Sequence, residues 1–150
     1  MRIGIASDHG GFRLKSELVP VLRERPGAEV LDLGTTSDAS TDYPDYAHRL
    51  ATAILEGKLD RGILVCGTGV GMSIAANRHA GIRCVVCSDT YTARLSRQHN
   101  DTNILALGER VVGKGLALDI VAAWLDEAAD MDPRHARRRE KIEPNRGGAP

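Results

Sequence analysis

The 150-residue sequence has few aromatic residues and no net charge. Phe, Trp and Tyr together make up 3% of the chain, which argues against a protein that stacks the bases of single-stranded nucleic acid. Its 20 basic residues are balanced by 20 acidic residues, so no overall field attracts nucleic acid or an anionic membrane. We therefore expect neither nucleic acid nor a membrane as a partner.

Long apolar runs and paired cysteines are also missing. No apolar run is long enough to span a bilayer, and a strand pattern begins within residues 1–6, where a signal peptide would lie. Three cysteines, an odd number, argue against a disulfide framework and favour a reducing compartment. These features predict a small cytoplasmic protein.

Strand-like apolar runs alternate with amphipathic segments of helical length along most of the chain. The predicted strands are 3–7, 29–33, 62–66, 82–87 and 103–107, and the predicted helices between and after them are 11–25, 45–57, 71–78, 89–97 and 116–128. Continuously apolar strands alternating with helices indicate a parallel sheet that is covered on both faces. We therefore expect an α/β fold: a three-layer α/β/α open sandwich, Rossmann-like, around a five-stranded parallel sheet.

A helical arm is predicted beyond Met131. Asp132 has the character of an N-cap residue, and Pro133 suits the first helical position, so a helix is expected over about 132–143. With this arm, residues 1–143 are expected to form a single domain. Residues 144–150 are predicted to be a disordered tail.

Ligands of such folds bind outside the carboxyl ends of the parallel strands. We therefore expect the site at the edge where the predicted strands end. The segments expected there are Ser7–His9, the polar loop 34–44, the segment after Cys66, Ser88–Asp89 and Gly108–Arg110.

Cys66 ends an apolar run and is followed by the glycine loop Gly67–Gly71. A cysteine at a strand end is more often a core hydrophobe, but the unshielded amides of such a loop favour a thiolate. Thr68 adds a hydroxyl that can donate to a developing oxyanion. The spacing of the glycines matches neither the dinucleotide fingerprint nor a P-loop. The segment therefore indicates a site where negative charge develops.

Two further cysteines spell C-x-x-C, but they lie within a predicted strand. Residues three apart on a strand face opposite sides of the sheet, so Cys84 and Cys87 are interpreted as core residues and not as a metal or redox pair. His9 and His99 fall in predicted loops that we place at the functional edge. Either could act as an acid–base group or an anion ligand.

The arm contains four arginines within residues 134–139. Arg134 and Arg138 are four residues apart and share one helix face, where planar guanidinium groups suit bidentate phosphate binding. A solvated basic stretch or a weak nucleic-acid patch explains these arginines equally well when they are considered alone.

Five motifs together resemble the type B ribose-5-phosphate isomerases, a family that includes galactose-6-phosphate isomerase subunits. They are SDHGGF at 7–12, TDYP at 41–44, CGTGVG at 66–71, SIAAN at 73–77 and SRQHNDTN at 96–103. The resemblance extends from residue 1 to about residue 140. It implies an aldose–ketose isomerase of ribose 5-phosphate and ribulose 5-phosphate that needs no metal or organic cofactor. It also implies a homodimer, or a dimer of such dimers, with sites shared between subunits.

The resemblance also implies a role for each site residue. Cys66 would move a proton between C1 and C2 through a cis-enediolate, Thr68 and the loop amides would hold its oxygens, and His99 would help to open the sugar ring. The phosphate would be held by His9, Arg110, Arg134 and Arg138. The implied substrate-binding residues are Asp8, His9, Tyr43, Gly67, Gly69, Val70, Gly71, Asn100, Arg110, Arg134 and Arg138. Arg137 and Arg139 remain alternatives to Arg138, which is preferred because it shares a face with Arg134.

Three alternative functions are compatible with the sequence. The same chemistry could act on galactose 6-phosphate, allose 6-phosphate or a tetrose phosphate, with identical catalytic residues. The chain could be a non-catalytic sugar-phosphate-binding or nucleotide-binding module of the same fold, although the combination of Cys66, Thr68 and His99 argues against it. A nucleic-acid binder that uses residues 134–139 is the third alternative, and neutral net charge argues against it.

Overall fold

A computed structural model describes residues 1–143, in which strands and helices alternate as predicted. The strands are β1 (Arg2–Ser7), β2 (Glu29–Asp32), β3 (Arg61–Cys66), β4 (Cys84–Val86) and β5 (Ile104–Gly108). The helices are α1 (Phe12–Arg23), α2 (Tyr43–Leu55), α3 (Val70–Ala76), α4 (Thr90–Asn100), α5 (Lys114–Asp126) and α6 (Pro133–Glu140), and one 3-10 turn covers His9–Gly11. The tail predicted for 144–150 lies outside the described residues.

The five strands form one parallel sheet in the order β2-β1-β3-β5-β4. This arrangement confirms the predicted α/β fold. From β1 the chain first builds outwards to β2, and then crosses to β3 on the other side of β1. The order of strands therefore reverses between β1 and β3, and such a reversal opens a crevice at the carboxyl ends of the two strands.

Alternate residues of the central strands pack into two separate cores. Ile5 and Ile63 face the side covered by α1 and α5, where Trp124 is fully buried. Ala6 and Leu64 face the side covered by α2 and α3. The period of two along each strand therefore builds the three layers. None of the helices in residues 1–143 combines the length and the apolar character needed to cross a membrane.

All six helices differ by one to three residues at their ends from the prediction, and two of these differences bear on the site. Helix α2 begins at Tyr43, two residues earlier than expected, because Asp42 is its N-cap residue and a first-turn proline is compatible with a helix. Helix α4 continues to Asn100, three residues further than expected. It ends where Asp101 adopts the left-handed conformation at φ 47°, with its N–H donating to the carbonyl of Arg97. The polar run predicted as a loop is therefore the last turn of a helix.

Strand β4 is shorter than the predicted segment 82–87, and it separates the two cysteines as expected. Cys84 packs with the core under α2 and α3, whereas Cys87 belongs to the core under α1 and α5. Burial raises the pKa of both thiols, that of Cys87 to about 12. Both side chains therefore behave as neutral core residues.

Candidate active site

The crevice between β1 and β3 brings two predicted segments into contact. The turn after β1 carries Asp8 and Gly10, and the glycine loop starts directly after β3 at Gly67. A Cβ atom on Gly10 would lie 3.3 Å from the backbone nitrogen of Gly67. The two backbones therefore pack closely, and the polar groups of both turns converge on one small region.

Cys66 lies at the end of β3 and is 6% exposed. Its side chain packs against the core under α2 and α3, but its Sγ accepts a hydrogen bond from the Gly69 N–H at 3.1 Å. Gly69 has φ 80°, a left-handed conformation that turns its N–H back towards the sulfur. The sulfur therefore lies within hydrogen-bond distance of a backbone donor of the glycine loop. Thr68 is exposed beside it, and its Oγ1 lies 3.4 Å from the Val70 nitrogen.

The turn after β5 is hydrogen-bonded to the glycine loop and places Arg110 over it. The N–H groups of Glu109 and Arg110 donate to the carbonyls of Cys66 and Gly67 at 2.9 and 3.1 Å. A Cβ atom on Gly67 would lie 3.5 Å from the Cζ of Arg110. The carboxylate of Glu109 also accepts the N–H of Leu14 at 2.9 Å, which fixes this turn to the start of α1. Arg110 therefore lies where it could bind an anion near Gly67.

Tyr43 closes the opposite side of the glycine loop. A Cβ atom on Gly71 would lie 2.8 Å from the Cζ of the Tyr43 ring. The first turn of α2 therefore contacts the first turn of α3, and only glycine leaves room for the ring at this distance. Tyr43 is 41% exposed, so its hydroxyl is available to a ligand in the crevice.

Three buried polar atoms near the end of β1 have no hydrogen-bond partner within residues 1–143. They are the Oγ of Ser7, the Oδ1 of Asp8 and the Oγ1 of Thr41. Burial raises the pKa of Asp8, although His9 and the N–H groups that follow it favour the carboxylate. Buried polar groups are normally paired, so these atoms fit a ligand rich in hydroxyl groups.

His9 is oriented by the backbone of the loop that precedes α2. Its Nδ1 accepts the N–H of Thr41 at 3.2 Å, so the proton of the neutral ring is on Nε2. The Nδ1 also lies 4.0 Å from the Asp8 carboxylate. His9 therefore has a free N–H donor beside Asp8, close to the loop that Arg110 covers.

His99 and Asn100 lie at the other edge of the sheet. Helix α4 runs away from the carboxyl edge, and the Asn103 carbonyl after it accepts the N–H of Gly62 at the amino end of β3. The five-residue rise from Arg61 to Cys66 separates the two edges by roughly 17 Å. The prediction that His99 lies at the functional edge is therefore wrong for a single chain, because it overlooked the direction of the helix.

The arginines of α6 lie on the same side as His99, because α6 packs against α4. Asp132 caps the helix by accepting the N–H of Arg134 at 2.8 Å, as the sequence predicts. Arg134, Arg137 and Arg138 are exposed. Arg139 instead donates to the carbonyls of His99 and Asp130 at 3.4 and 3.1 Å, which makes it a structural residue.

Two residues that were not predicted from the sequence support the residues that were. Glu109 holds the turn that carries Arg110, and His135 is 4% exposed and stacks on His99. The spacing in the sequence could have revealed His135. It lies four residues before Arg139 and so shares a helix face with it, whereas Arg134 and Arg138 lie on the outer face of the helix. No three side chains of His, Cys, Asp or Glu in residues 1–143 come together as a metal ion would require.

A sequence model of the family described as Ribose/Galactose Isomerase matches residues 3–142. The chain belongs to the ribose/galactose isomerase family. Members of this family are sugar-phosphate isomerases, so the crevice is the candidate active site of an enzyme.

Individual family members agree with this assignment over nearly the whole chain. The chain is 58% identical to ribose-5-phosphate isomerase B of Escherichia coli over 141 residues, which cover 94% of this chain and 93% of the relative. It is 43% identical to the D-erythrulose-4-phosphate isomerase of Pectobacterium atrosepticum, covering 84% and 83%. The solved structure of Clostridium thermocellum ribose-5-phosphate isomerase B superposes with a TM-score of 0.92 at 56% identity, covering 96% of each chain.

Proposed function

We propose that this chain interconverts ribose 5-phosphate and ribulose 5-phosphate by proton transfer between C1 and C2. The observation that carries the proposal is the hydrogen bond from the Gly69 N–H to the Sγ of Cys66, at the mouth of a crevice lined by unpaired polar atoms. Such an arrangement supplies a base beside amide donors, which are the two groups that enolisation next to a carbonyl requires.

The thiolate of Cys66 removes the proton from C2 of the open-chain aldose. The electrons of that C–H bond form the C1–C2 double bond, and the C1 carbonyl oxygen becomes negatively charged. The hydroxyl proton on O2 then moves to O1, and the thiol returns its proton to C1. No atom is gained or lost, so the product is the ketose isomer. Thr68 and the free N–H groups of the loop 67–71 stabilise the intermediate oxygen charge.

The remaining groups of the carboxyl edge hold the substrate. Arg110 lies over Gly67, and His9 is adjacent to Gly10, which packs against Gly67. These two side chains bind the phosphate, with the His9 Nε2–H as donor. Asp8 and Tyr43 contact the sugar hydroxyls. Burial raises the pKa of Asp8, as expected for a carboxyl group whose polar partner is the ligand. Binding energy from the remote phosphate orients the reacting carbons against Cys66.

The separation of the two edges supports a homodimer with shared sites. His99, Asn100, Arg134 and Arg138 cannot reach Cys66 of their own chain across the sheet. In our proposal they reach the Cys66 of a second copy, where His99 opens the furanose ring and the arginines add phosphate ligands. The proposed isomerase domain comprises residues 1–143, and we place it in the cytoplasm.

A substrate panel tests the proposal. The purified protein is given ribose 5-phosphate, galactose 6-phosphate, allose 6-phosphate and erythrose 4-phosphate, and kcat/KM is measured by ketose formation. We expect the largest value with ribose 5-phosphate. In deuterium oxide, the recovered product is expected to carry solvent deuterium at C1, because a thiol exchanges its proton. No turnover of any of the four, or a larger value for a hexose 6-phosphate, would contradict the proposed substrate.

A further inference from the structure

The imidazole rings of His99 and His135 form a parallel stack. Their centroids are 4.3 Å apart and their planes differ by 6°. His135 projects from the first turn of α6 and is 4% exposed, whereas His99 lies in the last turn of α4 and is half-buried. The buried ring therefore forms a flat support beneath the more accessible one.

The second contact of His135 is with an arginine. Its Nε2 lies 3.2 Å from the Nε of Arg134, which donates to it, and 3.8 Å from the Oδ2 of Asp130. An acceptor role for Nε2 means that the neutral ring carries its proton on Nδ1. A neutral His135 therefore restrains the Arg134 side chain through a hydrogen bond while its face supports His99.

The surroundings favour this neutral form. Burial, His99 and Arg134 all lower the pKa of His135, while Asp130 and Asp132 oppose them. A proton on Nε2 would remove the acceptor that Arg134 uses and would place a positive ring against His99. Near neutral pH the stack and the hydrogen bond therefore coexist.

The rest of the segment 130–139 fixes the two helices to each other. The N–H of Asp130 donates to the Gln98 carbonyl at 2.8 Å, and Arg139 donates to the carbonyl of His99. The backbone around His99 is thus fixed independently of His135. His135 adds a support for the plane of the His99 ring and a second acceptor for the Nε of Arg134, which also lies 3.2 Å from the Oδ2 of Asp132.

We propose that His135 is a positioning residue that orients the His99 ring for ring opening and the Arg134 guanidinium for phosphate binding. This inference rests on the proposed function, in which both partners act at the site of a second copy. It links the acid–base group and a phosphate ligand through one buried side chain.

Two variants of the full-length protein separate the two contacts. His135→Phe keeps a flat ring but loses the acceptor, so KM for ribose 5-phosphate is expected to rise roughly tenfold while kcat changes less than about twofold. His135→Gln places an amide oxygen near the position of Nε2 but loses the ring. For this variant kcat is expected to fall roughly tenfold with KM nearly unchanged. Thermal melting checks that both variants fold, and His135→Tyr replaces His135→Phe if that variant does not melt cooperatively.

A second substrate isolates ring opening. Erythrose 4-phosphate cannot form a furanose, because its C4 oxygen carries the phosphate. The loss in His135→Gln is therefore expected with ribose 5-phosphate and not with erythrose 4-phosphate. Equal losses on both substrates, or the same change of kcat and KM in both variants, would show a merely structural role and overturn the inference. A wild-type protein that isomerises neither sugar would instead overturn the proposed function itself.

Discussion

The Gly69 N–H donates across 3.1 Å to the Sγ of Cys66, which lies three residues earlier in the chain. The bond depends on the left-handed backbone of Gly69, and a Cβ atom there would also lie 3.1 Å from the carbonyl carbon of Leu107. The donor is therefore held in place by the loop before any substrate arrives. Such preorganisation is what allows an amide to stabilise charge as the charge develops.

The first prediction concerns this sulfur. Cys66→Ala is expected to lower kcat by at least about 10³-fold, because it removes the base and leaves the phosphate ligands intact. Binding of ribitol 5-phosphate, which has no carbonyl to enolise, is expected to change less than about threefold by calorimetry. Cys87→Ala is the matched control, a buried cysteine outside the site whose variant is expected to keep activity near that of wild type. Substantial turnover by Cys66→Ala would eliminate the proposed base.

The second prediction concerns the contact between Tyr43 and Gly71. Gly71→Ala places a methyl group 2.8 Å from the ring, so either Tyr43 or the glycine loop must move. We expect kcat/KM to fall roughly 10²-fold, because small displacements of groups near the reacting atoms have effects of this size. Gly115→Ala is the control, because a Cβ atom there has nothing within 4 Å. Wild-type kinetics in Gly71→Ala would show that this contact does not shape the site.

The third prediction concerns the stability of the unliganded protein and its dependence on pH. Burial holds the pKa of Asp8 above its ordinary value of 3.8, so the folded state binds its proton more tightly than the unfolded state. The protonated Asp8 carboxyl therefore contributes to stability at low pH, and this contribution is lost as the pH rises from 3.8 through the raised pKa of the folded state. Asp8→Asn, which carries no charge that burial disfavours, is expected to be more stable than wild type at pH 7 and less active.

Chemical denaturation at several pH values checks this expectation. The advantage of Asp8→Asn should shrink as pH falls through the pKa of Asp8. A difference that stays constant with pH, or a less stable variant at pH 7, would contradict the view that the Asp8 charge is poorly compensated in the empty crevice.

The fourth prediction separates the three consecutive arginines of α6. Arg138→Gln is expected to raise KM about tenfold with little change in melting temperature, because the side chain is exposed on the face of Arg134. Arg137→Gln, which lies roughly 100° from Arg138 around the helix, should leave KM within about twofold. Arg139→Gln should lower the melting temperature, since it removes donors to the carbonyls of His99 and Asp130. A KM effect in Arg137→Gln that exceeds that in Arg138→Gln would reassign the phosphate ligand.

The fifth prediction tests whether sites are shared. Cys66→Ala and His99→Asn are each expected to be nearly inactive alone. When the two variants are unfolded together and refolded as an equal mixture, half of the dimers are mixed, and each mixed dimer contains one site with both native residues. Activity is therefore expected to recover to about one quarter of that of wild type. No recovery in mixtures that do form mixed dimers would contradict the shared site.

The carboxyl edge of the sheet was largely predictable from the sequence. Apolar runs mark where β1, β3 and β5 end, and the rule for parallel sheets places the residues after them together. The positions of Asp8, the glycine loop and Arg110 therefore follow from the ends of the strands alone. The contact of Tyr43 with Gly71 could not be predicted, because it depends on the angle at which α2 packs against α3.

The amino edge was predicted less well, for a physical reason. Polar residues from 97 to 101 suggest a loop, yet helix α4 extends to Asn100 because buried tertiary contacts override weak local preference. Arg97 is 2% exposed and donates to the Thr102 carbonyl, an interaction that no local pattern shows. The stack of His99 on His135 likewise joins two side chains that are 36 residues apart in sequence and lie on different helices.

The distance across β3 also has a consequence for the activity of the protein at low concentration. In the proposed shared site, a folded single chain is inactive, because its own His99 lies at the opposite edge of the sheet from its thiol. Specific activity should then decline on dilution below the dissociation constant of the pair, while the circular dichroism of each subunit stays the same. The rate of catalysis would thus depend on the concentration of the dimer as well as on that of the sugar phosphate.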